Sequence, residues 1–136
     1  MTPTGSAPRV LLVDDNHGFR SELRLLLEDC GIEVVAEGEN GQEAVELAAS
    51  TGTVVVLMDL RMPVMDGLEA ARALRDRAPE LPVIILSAYE DPALKSEAET
   101  ASAYAYLVKG CSGGLVLDTV EQAWADRAGA GPEPVG

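Results

Sequence analysis

The sequence predicts an α/β protein, a doubly wound parallel sheet of five strands covered on both faces by five helices. Three observations carry this. Five short apolar runs alternate with amphipathic stretches in the order βαβαβαβαβα, with no repeat or low-complexity block between them. The runs consist of Val, Leu and Ile, as strands buried on both faces do. Finally, 47% of the 136 residues are apolar but only 4% aromatic, so the core must be aliphatic. Such an alternation requires right-handed crossovers, hence a parallel sheet with helices on either side. A chain of this length forms one domain and buries about two-thirds of its unfolded surface, core enough without staples.

The first strand is Val10–Asp14, and Phe19, Leu23, Leu26 and Leu27 then fall at i, i+4, i+7 and i+8, one face of a helix. Glu33–Ala36 is the second strand. Asn40-Gly41-Gln42-Glu43 pairs an N-cap with an acid three residues on and opens a helix that buries Ala44, Leu47 and Ala48. Val54–Met58 is the third strand; Leu68, Ala71 and Leu74 mark the third helix, which Ala78-Pro79 ends. Pro63, Asp66 and Gly67 shape the loop before that helix and cap it, without chemistry of their own. Val83–Leu86 is the fourth strand.

The fourth helix, Pro92 to Ala101, has Leu94 as its one large apolar residue, so Ala93, Ala98 and Ala101 must complete its inward face. It buries little area. Either it is the least firmly docked element or its small residues pack close to the sheet. Tyr104–Val108 is the fifth strand, and Val116, Val120, Ala123 and Trp124 form the stripe of the last helix, with Trp124 in core or edge packing. Residues 1–8 read as a flexible tail without the basic and apolar regions of a signal peptide. The domain occupies 9–127; residues 128–136, within the Gly/Pro-rich RAGAGPEPVG, read as a flexible tail or the start of a linker.

A net charge of −13 removes the counterion-release gain of nucleic-acid binding, so this chain is expected to bind none by itself. Its apolar stretches are too short to span a membrane. Cys30 and Cys111 lie in no CxxC or Cys/His pattern and read as reduced thiols of a cytoplasmic protein.

With the strand order 2-1-3-4-5 usual for this topology, ligands bind beyond the carboxyl ends of the strands, where the winding reverses. Asp14, Asp15, Asp59, Ser87 and Lys109 stand there. Carboxylates about 4 Å apart repel by about 4 kcal/mol per pair at an effective dielectric of 20, and a hard oxygen-ligated ion such as Mg²⁺ would relieve them. Acids, a hydroxyl and an ammonium suit phosphoryl chemistry, supplying a metal site, an acceptor, a hydrogen-bond donor and a cation for developing charge. A flavin or nucleotide phosphate is disfavoured, because the Asp14-Asp15-Asn16-His17 loop would repel it and no Walker or GxGxxG pattern is present. His17 reads as a cap-region residue.

VLLVDD, LMDLRMPVMDG, VIILSA and YLVK, in this order and spacing, resemble the receiver domain of two-component response regulators, from Arg9 to about Arg127. LLVDDN-x-x-FR and LMDLRMPVMDGLEA-x-R are similar to the NarL/FixJ-type branch, whose members usually carry a C-terminal helix-turn-helix domain. The resemblance implies a flavodoxin-like fold and a phosphoprotein of a phosphorelay. Asp59 matches the phosphorylated aspartate, Asp15 the acid binding Mg²⁺ directly and Asp14 its neighbour, with the backbone carbonyl of Arg61 completing the ligands. Ser87 matches the hydroxyl that hydrogen-bonds the phosphoryl group, Lys109 the lysine that pairs with it, and Tyr106 the aromatic switch. Implied partners are a sensor histidine kinase and a second copy of the chain; the output surface is the fourth helix, fifth strand and fifth helix. Self-phosphorylation and autodephosphorylation are its only catalysis. Two other readings stay open: a stand-alone receiver acting by protein contact, and a Mg²⁺-dependent phosphohydrolase. The second usually needs an acid two residues past the nucleophile, where Arg61 stands.

Some positions depart from the family pattern. Ala101-Ser102-Ala103-Tyr104-Ala105-Tyr106 lacks both glycines of the usual Ala-Gly-Ala-x-Gly-Tyr, so Ser102 is strained by about 1 kcal/mol or more if φ is positive there. Thr53-Val54 replaces the common Pro-Asp, and Gly110 replaces the proline often found after the lysine.

Overall fold

The computed structural model describes residues 8–130, and every peptide bond it describes is trans. Strands β1 (Arg9–Val13), β2 (Glu33–Gly38), β3 (Val55–Asp59), β4 (Val83–Ser87) and β5 (Ala105–Val108) alternate with helices α1 (His17–Asp29), α2 (Gly41–Ser50), α3 (Gly67–Arg77), α4 (Pro92–Thr100) and α5 (Gly113–Ala130). All four pairings are parallel, in the order β2-β1-β3-β4-β5. The expected architecture and strand order are those observed.

Alternation of side chains along the central strands divides the core into two layers. Leu11, Val13, Val56, Met58, Val83 and Ile85 face α2, α3 and α4, against Ala44, Val45, Leu68, Ala71, Leu74 and Ala98. Val10, Leu12, Val55, Leu57, Ile84 and Leu86 face α1 and α5, against Leu23, Leu27, Val116, Val120 and Ala123. Trp124 packs partly buried at the margin of this second layer.

The caps expected at Asn40 and Asp66 are those observed, and Asn16 and Asp91 supply two more that were not expected. The Asn16 and Asn40 side chains accept from the N–H groups of Phe19 and Glu43, and Asp66 forms a reciprocal capping box with Glu69. Asp91 caps α4, with Pro92 at its first position. Gly67 cannot be larger, because a Cβ there would collide with the carbonyl oxygen of Asp59.

Several boundaries differ from the expectation. β1 begins at Arg9 and stops at Val13, which leaves Asp14 free to turn its carboxylate into the crevice. β2 runs two residues past Ala36 to Gly38, because pairing with β1 continues to Val13. β3 and β4 include Asp59 and Ser87, and β5 starts at Ala105, one residue after Tyr104. Ala93 is exposed and takes no part in the inward face of α4, which Ala98, Ala101 and the half-buried Leu94 form. At its far end α5 continues to Ala130, past residue 127, where Ala128 and Ala130 favour helix. The expected tails at residues 1–7 and 131–136 lie outside the described residues.

Candidate functional site

β1, β3, β4 and β5 all end on one side of the sheet, and the register sets their last residues close together. Asp59 lies opposite Leu86, and Ser87 opposite Val108. Asp14 follows β1 directly and Lys109 follows β5, its N–H donating to the Ser87 carbonyl at 2.7 Å. Chain segments far apart in sequence thus deliver Asp14, Asp15, Asp59, Ser87 and Lys109 to one crevice.

Carboxylate oxygens of Asp14, Asp15 and Asp59 lie within 4.8 Å of one another. Asp14 and Asp59 are buried, whereas Asp15 is exposed and opens the cluster to solvent. Lys109 Nζ is 2.7 Å from Asp14 Oδ2 and 3.5 Å from Asp59 Oδ1, and lies 4.4 Å from the centroid of the Phe19 ring, a cation–π contact that steadies it. Three carboxylates against one ammonium leave two negative charges in the crevice. Oxygen donors, an open side and that excess suit a hard dication such as Mg²⁺.

Burial first, and the Asp14 carboxylate second, raise the pKa of Asp59 above its ordinary value, against the opposing pull of Lys109 and of the Leu60 N–H. That N–H donates to Asp59 Oδ1 at 2.8 Å and orients the side chain. Asn16 N–H likewise holds Asp14 Oδ1 at 2.8 Å. Ser87 is fully buried, and its Oγ accepts from the Tyr89 N–H at 3.0 Å. The Tyr106 hydroxyl donates to the Tyr89 carbonyl at 2.6 Å. The two backbone groups of Tyr89 therefore join Ser87 to Tyr106.

Arg61 stands in the exposed loop after β3, its guanidinium 5.2 Å from the centroid of the Tyr89 ring. His17 lies at the start of α1, with Nδ1 3.3 Å from Arg20 Nη2. Asp66 and Gly67 are engaged in the α3 cap and its close approach to β3.

Sequence reasoning missed Arg20. It is 7% exposed, in ion pair with Glu37 at 2.8 Å, and donates to the Asp14 carbonyl at 2.6 Å. The signal was present: Arg20 is in phase with the buried Leu23 and Leu27, and a charge on that face demands a partner. The partner sits seventeen residues away on β2, where no local pattern reveals it.

Residues 10–121 match the response regulator receiver domain model. The chain is 34% identical to the transcriptional regulatory protein DegU of Brevibacillus brevis over 114 residues, which cover 83% of this chain and 48% of that one. A LuxR-family two-component response regulator from Aurantimonas superposes with a TM-score of 0.84 at 31% identity, over 89% of this chain and 87% of that one. The signal receiver domain of the NarL response regulator from Mycobacterium tuberculosis gives 0.77 at 34% identity, over 85% and 97%. This chain spans about half the length of the curated relatives it matches. Among the described residues no helix is long and apolar enough to cross a membrane. The motifs at the strand ends, the doubly wound sheet and these likenesses together make the chain a member of the response regulator receiver domain family of two-component signalling.

Proposed function

We propose that this chain is a Mg²⁺-dependent phosphoacceptor that takes a phosphoryl group from the phosphohistidine of a sensor kinase onto Asp59. The observation carrying this reading is the cluster of Asp14, Asp15 and Asp59 within 4.8 Å, with the Lys109 ammonium 2.7 Å from one of them. A bond forms between an Asp59 oxygen and phosphorus, the N–P bond of the donor breaks, and its electron pair stays on the imidazole nitrogen. Asp14, Asp15, Asp59 and the Arg61 carbonyl would hold Mg²⁺, which would supply positive charge to the phosphoryl oxygens. Lys109 offers a second cation to the same oxygens. Ser87, already at the strand end, donates a hydrogen bond from its hydroxyl to one of them. The acyl phosphate carries about −1.5 to −2 charge in place of the single charge of the free carboxylate, and a bound dication and Lys109 would offset it.

The receiver occupies residues 9–127, extended to Ala130 by the end of α5, with 1–8 and 131–136 as flanking segments. It works in the cytoplasm and has no turnover on an external substrate; forming and hydrolysing its own acyl phosphate is its only catalysis. Its output passes through α4, β5 and α5 to a second copy of the chain or to a DNA-binding domain. Longer relatives named as transcriptional regulatory proteins, of which the matched stretch covers 48% and 56%, support that output. Incubation with Mg²⁺ and a small acyl phosphate donor, read by intact mass, tests the acceptor. One phosphoryl group is expected on wild type and on the cap variant Asp66→Asn, and none on Asp59→Ala. A modified Asp59→Ala protein would remove Asp59 from the role.

A further inference from the structure

Arg20 is the buried cation of α1, and its contacts converge on the acid cluster. A guanidinium taken out of water is costly unless its donors are satisfied. Nε donates to Glu37 Oε1 at 2.8 Å, Nη1 to the carbonyl oxygen of Asp14 at 2.6 Å, and Nη2 lies 3.3 Å from His17 Nδ1. Glu37 also accepts from Arg24 Nη1 at 2.6 Å, so the carboxylate anchoring Arg20 is itself fixed from two sides. Hydrogen bonds from Arg20 and Arg24 hold that carboxyl below its ordinary pKa.

The carbonyl that Arg20 grips belongs to the peptide joining Asp14 to Asp15. That unit is planar, so holding its oxygen also fixes the nitrogen and Cα position of Asp15. Asp14 is restrained independently, by its N–H to the Gly38 carbonyl at 3.0 Å and by Asn16 N–H on its side chain. Asp15 is exposed. Its aim therefore depends on the peptide before it.

We infer that Arg20, anchored by Glu37, is a positioning residue that sets the Asp14–Asp15 peptide and so the aim of Asp15 at the metal. This rests on the reading that Asp14, Asp15 and Asp59 hold Mg²⁺. Only a planar fork reaches the Glu37 carboxylate and the Asp14 carbonyl together; a lysine keeps the charge but satisfies one of them.

The sign of the effect separates positioning from charge. Removing a cation near a cation site tightens Mg²⁺ binding by Coulomb's law alone, whereas loss of positioning weakens it. Calorimetric Mg²⁺ titration of the 136-residue chain, well below its melting temperature, reads this directly. Arg20→Met, which keeps the apolar stem, is expected to weaken binding by about tenfold, as loss of an outer support around a metal typically does. Arg20→Lys, charge unchanged, is expected to fall between Met and wild type, and it carries the test if the Met variant fails to fold. Asp15→Asn is the control for the site. If wild type binds and Asp15→Asn does not, while the folded Arg20 variants bind within twofold of wild type or more tightly, the inference is overturned with the metal reading intact. A lower melting temperature in EDTA with unchanged Mg²⁺ affinity overturns it equally, because Arg20 is then structural only. If wild type takes up no Mg²⁺, the reading beneath falls and the inference with it.

Discussion

Glu37 ties two elements together through Arg20 and Arg24, and its titration is a measure of that tie. Its folded pKa is depressed, first by the hydrogen bond from Arg20 and then by that from Arg24. In the unfolded chain the carboxyl titrates near its ordinary value of about 4.3. The stabilisation is therefore complete above that value and is lost as pH falls through the lower folded one. Glu37→Gln, which cannot ionise, should lower the melting temperature at pH 7 and at pH 5 by similar amounts. The gap to wild type should then narrow on going to pH 3; a gap of constant size would mean that the pairs contribute no pH-dependent stability. The residues of the acid crevice were legible because each ends an apolar run, and a polar group in that place needs a reason. Arg20 and Glu37 were not legible as a pair, since their contact arises only when β2 lies beside β1 and α1 folds back over both. The Lys109–Phe19 contact was hidden likewise, by a sequence separation of ninety residues.

At the scale of elements, two connections among the described residues hold non-glycine residues at positive φ. Ser102, after α4, has φ 68°, and Val64, between β3 and α3, has φ 71°. The missing glycine before β5 signalled the first. Turn geometry alone produced the second, because β-branching argues against positive φ and nothing else in the loop announces it. Ser102 keeps the conformation since the α4 terminus over-determines it: Ala101, Ser102 and Ala103 N–H groups all donate back to carbonyls of Glu97, Glu99 and Ala98. A left-handed conformation costs an L-residue roughly 1–2 kcal/mol, of which glycine returns part through its greater unfolded-state freedom. Val64→Gly is thus expected to stabilise by about 1 kcal/mol, and Ser102→Gly by about half that. Ser102→Val should destabilise. Urea unfolding measures all three, and a loss of stability in Val64→Gly would mean that its loop is not strained. Helix boundaries were less legible than helix faces. The end of α4 is closed by backbone bonds that carry no sequence signature, and Ala93 could be excluded from the core only once the helix was placed.

For the whole molecule, the question is how a group added at Asp59, as proposed, would reach α4. From Ser87 onward, a continuous path of contacts leads to the α4 layer. Ser87 Oγ accepts from Tyr89 N–H, and the Tyr89 carbonyl accepts from the Tyr106 hydroxyl. The Tyr106 ring packs against the layer that contains Ala98 and Ala101 of the α4 face. Sequence reading supplied the end points, Ser87 and Tyr106, whereas the backbone of Tyr89 as their link came only from the folded loop. If the Ser87 hydroxyl turns to a phosphoryl oxygen, the Tyr89 N–H loses its acceptor, and the carbonyl that anchors Tyr106 is freed to move with it. α4 is suited to respond, because two alanines and a half-buried leucine give it little apolar area to resist displacement. Amide hydrogen exchange over Pro92–Thr100 is expected to change on phosphorylation of wild type. Ser87→Ala should still accept the phosphoryl group but give a much smaller change, since no hydroxyl remains to turn. Lys109→Ala should be similarly uncoupled, with the added charge less compensated. If α4 is strongly protected beforehand and identical afterwards, its alanine face is tightly packed rather than loosely docked. The signal must then leave by α5, where Tyr104 is already tied to Asp126 by a 2.6 Å hydrogen bond.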